Sequence, residues 1–136
     1  MYTITQVAKK FGITAHTLRY YDKEGLLPFV ERSAAGTRKF KEADLEWLII
    51  INCLKETGMQ IKDIKVFIDW CMQGDGTIQQ RYDMFVAQKE KLQQQMEAMQ
   101  THMKKIEYKI WYYKTALEAG TVKIHESCAA KSKKLL

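Results

Sequence analysis

Only one of the 136 residues is a proline, Pro28, and four of the seven glycines fall by position 58. The second half of the chain is left nearly free of helix breakers, which excludes a fold of many short strands and points to long helices. No apolar run approaches the roughly 20 residues of a membrane span, and no basic start is followed by an apolar secretion segment. A soluble cytoplasmic protein with no membrane partner is expected. Cysteines are few, odd in number and widely spaced, at Cys53, Cys71 and Cys128. No C-x-x-C pair occurs, so neither a disulfide framework nor structural zinc is indicated, and reduced thiols fit best. The histidines His16, His102 and His125 are scattered, no Gly-rich phosphate loop is present, and no carboxylate pair sits by a cleft-forming break, all of which disfavours an enzyme. No cofactor and no metal are expected.

What is present is enough apolar sequence, 46%, for a packed core in a chain of one domain's length. The net charge of +6 is unevenly spread: residues 1–41 hold eight Lys/Arg against three Asp/Glu, whereas residues 42–76 hold three against seven. The positive end is therefore the N-terminal one, the distribution expected of a surface for nucleic acid, although a solvated charged face would give the same count.

The N-terminal pattern is that of a helix-turn-helix. Thr5 is expected to cap a two-turn helix with Val7, Ala8 and Phe11 at helical spacing and a stop at Gly12. Thr14 then caps a second helix that ends at Gly25, with Leu18 as its anchor to the first. This second helix reads as a recognition helix, leaving His16, Thr17, Arg19, Tyr20 and Lys23 for the groove and the phosphates. After Pro28, two strand-like pieces flank Ser33–Thr37 and form an expected hairpin wing from which Arg38 and Lys39 project toward a phosphate backbone. A third helix, with acids in its first turn and apolar nearly all round from Leu45 to Leu54, is the expected core helix. A fourth, from about Gln60 to Met72, carries Ile61, Ile64, Phe67 and Ile68 on one stripe. Gly74–Thr77 reads as a hinge.

From Ile78 the period changes to a heptad. Ile78, Phe85, Leu92, Met99, Ile106 and Tyr113 occupy one seam position, and Tyr82, Lys89, Met96, Met103, Ile110 and Leu117 the other; Lys89 alone is polar. This is a coiled-coil pattern, and at about 1.5 Å per residue the helix spans roughly 60 Å, too long to bury its stripe on a small domain. A second copy of the chain is the simplest partner; a helix folded back on its own domain is the alternative. Trp111 and Tyr112 lie off the seam, where they could pack against a DNA-binding domain. The expected organisation is a winged helix-turn-helix domain over residues 1–74, hinge and dimerisation helix over 75–120, and a short basic tail over 121–136.

Thr17-Leu18-Arg19-Tyr20-Tyr21-Asp22, then Gly25-Leu26-Leu27, Gly36-Thr37-Arg38, and Gly58-Met59-Gln60-Ile61, followed by the long helix, resemble the MerR family of transcriptional regulators. The resemblance implies a mostly α fold in which a homodimer, its long helices paired as an antiparallel coiled coil, binds an inverted repeat in double-stranded promoter DNA. It implies control of transcription by distorting the promoter spacer so that RNA polymerase can engage both of its elements. Carried over by position, Ala15 and His16 would lie near bases, Thr17, Arg19 and Tyr20 at backbone or groove edges, Arg38 and Lys39 at phosphates, and the helix start at Gln60 and Lys62 would offer backbone N–H groups. Two positions depart from the family pattern: Thr37 stands for an aromatic residue, and Gln60 for a capping Ser or Thr.

Metal-sensing members place paired cysteines beyond the dimer helix, and here only Cys128 lies there; drug-sensing members carry a large extra domain, against about 16 residues here. Cys53-Leu54-Lys55-Glu56-Thr57-Gly58-Met59 resembles the branch that responds to aldehydes and thiol-reactive stress. On that resemblance Cys53 is the sensor for a covalent electrophile or aldehyde, with Cys71 and Cys128 as second candidates. Read from the residues alone the sensor case is weaker, because Cys53 lies mid-helix beside Ile49 and Ile50 and buried thiols are commonly inert; with the resemblance, sensor and core filler stand about even. The rival function is a constitutive architectural DNA-binding or coiled-coil adaptor protein without an inducer.

Overall fold

The computed structural model describes residues 1–128, so Lys131, Lys133 and Lys134 of the expected basic tail lie outside the described residues. In order come α1 (Ile4–Phe11), α2 (Ala15–Lys23), β1 (Glu31–Arg32), β2 (Arg38–Lys39), α3 (Glu42–Glu56), α4 (Ile61–Gln73) and α5 (Ile78–Ala119), with short 3-10 turns at Asp75–Thr77 and Val122–Cys128. The chain is mostly α, with the expected helix-turn-helix, wing and long C-terminal helix. It forms two compact units, Met1–Gln88 and a second that begins at Lys89. Among the described residues no helix is long and apolar enough to cross a membrane.

Thr3, rather than Thr5, caps α1. Its hydroxyl accepts from the Gln6 N–H at 3.2 Å while its own N–H donates to Gln6 Oε1 at 2.8 Å. This reciprocal box satisfies two donors that a helix start leaves open. Thr14 caps α2 as expected, accepting from the Thr17 N–H at 3.0 Å. The exit from α2 requires glycine: Gly25 sits at φ +81°, and a β-carbon there would stand 2.8 Å from Lys65 Cε.

The core of the N-terminal unit is built from Val7 of α1, Leu18 of α2, Leu48 and Ile51 of α3, and Ile64 and Ile68 of α4, all essentially buried. Phe40 is fully buried at the root of the wing, where its backbone pairs with Tyr2 through Tyr2 N–H to Phe40 O (2.8 Å) and Phe40 N–H to Tyr2 O (3.0 Å). Phe29 stacks on Trp47 at 5.6 Å. Asp44, also buried, accepts from the Lys41 N–H at 2.8 Å and starts α3.

The expected core helix, apolar nearly all round, buries only one side. Leu45, Leu48, Ile51 and Leu54 face inward, whereas Ile49 is 58% exposed, Ile50 38%, and Cys53 is exposed. With apolar residues on every side the sequence period carries no phase, and packing against α4 selects only one stripe.

The segment read as a hinge is a hydrogen-bonded corner. The buried Thr77 hydroxyl reaches the carbonyls of Trp70 (2.6 Å) and Gly74 (2.9 Å), and Arg81 donates to Gly74 O (2.6 Å) and to Thr77 Oγ1 (3.0 Å). The first turns of α5 continue the N-terminal unit past residue 74. Phe85 meets Phe67 edge to face at 5.2 Å, and the Gln88 amide donates to Thr57 O at 3.0 Å.

Beyond Lys89, the seam positions Met96, Met99, Met103, Ile106, Ile110, Tyr113 and Leu117 are each more than half exposed, and Leu92 is half-buried. Near the end of α5 the chain turns at Gly120 and returns His125 to the helix. His125 is buried, stacked on Tyr112 at 4.1 Å, with Nε2 2.7 Å from Thr115 Oγ1 and 3.0 Å from Tyr112 O. Tyr112 and Trp111, whose ring lies 5.0 Å from His125, thus have a partner within their own unit.

Candidate nucleic-acid interface

Helix α2 presents two faces. Leu18 and Tyr21 turn into the core, and burial, helped by the neighbouring Tyr20, pushes the Tyr21 hydroxyl above its ordinary pKa. His16, Arg19, Tyr20 and Lys23 follow one another at helical spacing on the opposite face, and all four are exposed. An exposed row of two cations, an imidazole and a phenol can donate to base edges and phosphate oxygens along a single groove. Thr17 is half-buried, and its hydroxyl lies 2.9 Å from Thr14 Oγ1, so it belongs first to the cap. Ala15 is half-buried against the core.

The wing lies beside this face. Its strands pair in antiparallel register, Glu31 with Lys39 and Arg32 with Arg38. The tip closes through Ser33 N–H to Thr37 O (2.7 Å), Gly36 N–H to Ser33 O (2.8 Å) and Thr37 N–H to Ser33 Oγ (3.1 Å). Thr37, one of the two departures from the family pattern, therefore serves the turn through its backbone. Lys39 is exposed. Arg38 is less free than its position in the sequence suggests: its Nε donates to Asp22 Oδ2 at 2.6 Å, and its side chain is 21% exposed. Arg32 Nη2 reaches the same oxygen at 2.6 Å. Sequence reasoning missed Arg32 and Asp22 as members of this surface, because an ion pair between residues 10 and 16 positions apart leaves no local pattern.

Gln60 precedes α4 in an extended conformation and makes no capping bond through its side chain, as the missing Ser or Thr implies. Gln60 and Lys62 are both exposed, and the first N–H groups of the helix lack intrahelical acceptors, which makes the start of α4 able to receive an anion. Among the described residues no group of three His, Cys, Asp or Glu side chains is placed to hold a metal ion. Cys71 is half-buried, and burial pushes its thiol up against the opposing effect of Arg81. The side chain of Cys128 lies outside what the structure describes.

Residues 2–69, which span the helix-turn-helix, the wing and most of α4, match the model of the MerR HTH family of regulatory proteins. The chain belongs to the MerR family. An HTH-type transcriptional regulator of Haemophilus influenzae is 44% identical over 122 residues, 90% of each chain. The regulator AdhR of Bacillus subtilis is 37% identical over 65% of this chain and 64% of its own. Among solved structures, HiNmlR, a MerR family regulator lacking the sensor domain and bound to promoter DNA, superposes with a TM-score of 0.75 at 44% identity, covering 90% of this chain and 98% of that one. These MerR relatives are regulators rather than enzymes, and they agree with the branch to which the residues around Cys53 point.

Proposed function

We propose that this MerR-family chain binds an inverted repeat in promoter DNA as a homodimer and controls transcription in the cytoplasm. The observation that carries the reading is the exposed row His16, Arg19, Tyr20 and Lys23 on α2, flanked by the wing, in a chain 44% identical to a regulator solved on promoter DNA. In this reading α2 enters the major groove, Arg38 and Lys39 meet phosphates, and the N–H groups after Gln60 and at Lys62 receive another. The seam of α5 pairs with a second copy, antiparallel, and sets the distance between two recognition helices. RNA polymerase is engaged through DNA shape, the dimer bending and untwisting the spacer between promoter elements.

The reading is tested with the full chain on duplexes taken from upstream of its own gene. Footprinting is expected to show an inverted repeat protected, with the logarithm of affinity falling linearly against that of salt concentration, and transcription by RNA polymerase from that template is expected to change. Protection with unchanged transcription would favour the architectural alternative; absence of any sequence-selective protection would overturn the proposal.

The signal is assigned to Cys53. Its exposure on α3, where an electrophile can reach it, supports this reading over that of core filler. Addition of the thiol to an aldehyde forms a C–S bond while the thiol proton passes to the carbonyl oxygen, giving a hemithioacetal. The adduct would stand beside Ile49 and Ile50, and the Cys53 carbonyl accepts from the N–H of Thr57, whose own carbonyl accepts from Gln88 of α5. Cys53→Ala is expected to abolish the change in promoter output caused by formaldehyde or methylglyoxal while leaving uninduced output within about two-fold of wild type, the latitude usual for a surface substitution. Full induction of the variant would remove Cys53 from the mechanism.

A further inference from the structure

Among the described residues Asp22 is the one acidic side chain that pairs with the wing's two arginines. Its Oδ2 receives Arg38 Nε and Arg32 Nη2, each at 2.6 Å, and its side chain is only 15% exposed. Because Arg38 is held by Nε, its two terminal nitrogens have no hydrogen-bond partner among the described residues. A guanidinium gripped at one edge is a fixed fork, able to meet a phosphate with both remaining nitrogens. Asp22 stands one residue before the end of α2, the helix that carries Arg19 and Tyr20. The carboxylate therefore couples the angle of the wing to the recognition helix itself.

We propose that Asp22 is a positioning residue for DNA recognition: through Arg38 it fixes where the wing grips the phosphate backbone relative to the groove that α2 enters, and so sets sequence selectivity. The inference rests on the DNA-binding reading above. Asp22→Asn removes a negative charge from a surface meant for a polyanion, and charge alone would tighten binding to every duplex. Loss of a positioning contact instead weakens binding to the chosen sequence and leaves non-specific binding equal or tighter.

The test uses the full chain, a duplex selected by the wild-type protein from a random pool, and an unselected duplex of equal length. D22N is expected to lose about 10-fold in affinity for the selected duplex, the scale of one lost specific contact, with no loss on the unselected one. D22E is expected to recover part of the difference. In an Arg38→Gln background the cost of D22N is expected to shrink to what its remaining contact with Arg32 supplies, because Asp22 acts through Arg38. Without DNA, NMR of the Arg38 Nε–H group reads the clamp directly: a slowly exchanging signal in the wild type, lost in D22N and returned in D22E. Equal or tighter binding of D22N to the selected duplex, or an undiminished cost in the R38Q background, overturns the proposal. A wild-type chain that selects no sequence overturns the DNA-binding reading as well, and the Arg38 signal then still reports whether the clamp exists.

Discussion

Replacing Ile106 and Ile110 together with glutamate is expected to leave the chain folded but monomeric. Both side chains are more than half exposed, Ile106 at 53% and Ile110 at 63%, so neither supports the core of its own chain. Glutamate is a good helix former, and the helical signal of α5 is expected to persist. In the proposed dimer the two isoleucines of each copy are buried, at about 1.5–3 kcal/mol per side chain, and the variant places four carboxylates in or beside that seam. Dimer dissociation is expected to strengthen by on the order of 10³-fold or more. Promoter affinity should fall with it, by at least about 100-fold, because the second half-site is then reached by a separate molecule rather than by a tethered one. Analytical ultracentrifugation and titration of the protected duplex measure the two effects. A variant that remains dimeric would show that the heptad of α5 is not the pairing seam.

The difference between what could be read along the chain and what could not follows the range of the interactions. The Thr14 cap, the Gly25 exit and the stripe of Ile64, Phe67 and Ile68 depend on neighbours within one or two turns, and each stands where its residues place it. The misplaced start of α1 had a local signal, since Gln6 stands three residues after Thr3 and completes a capping box that Thr5 lacks. Cys53 was undecidable for a different reason. In a helix apolar on every side, only the position of α4 determines that Ile51 and Leu54 face inward and Ile49, Ile50 and Cys53 do not. The Asp22 clamp and the Gln88 bond to Thr57 join residues up to 31 positions apart, and no period records such a pairing. The exposed row on α2 was legible because it is the complement of a local apolar stripe. The part that orients it was not, because that depends on how a wing returns to a helix.

Phe40→Ala is expected to be the most damaging single substitution in the N-terminal unit. Phe40 is the largest fully buried side chain, and its removal leaves a cavity that the surrounding helices can close only in part. The cost is expected to be about 3–5 kcal/mol, a large fraction of the roughly 5–15 kcal/mol by which a domain is stable. For a unit of this size the midpoint of thermal unfolding should drop by more than about 10 °C. The damage is also directional. Phe40 holds β2 to Tyr2 by two backbone hydrogen bonds, and the next residue, Lys41, begins α3 through the buried Asp44. Loosening that root frees the wing before it unfolds the helices, so protease cleavage within 33–37 should quicken at temperatures where the helical signal is intact. Phe40→Leu, which keeps most of the apolar volume, is expected to lose less than half as much stability. A Phe40→Ala variant within about 1 kcal/mol of wild type in denaturant unfolding would mean that the wing is anchored elsewhere. In that case Asp22, holding Arg32 and Arg38, would tie the wing to α2.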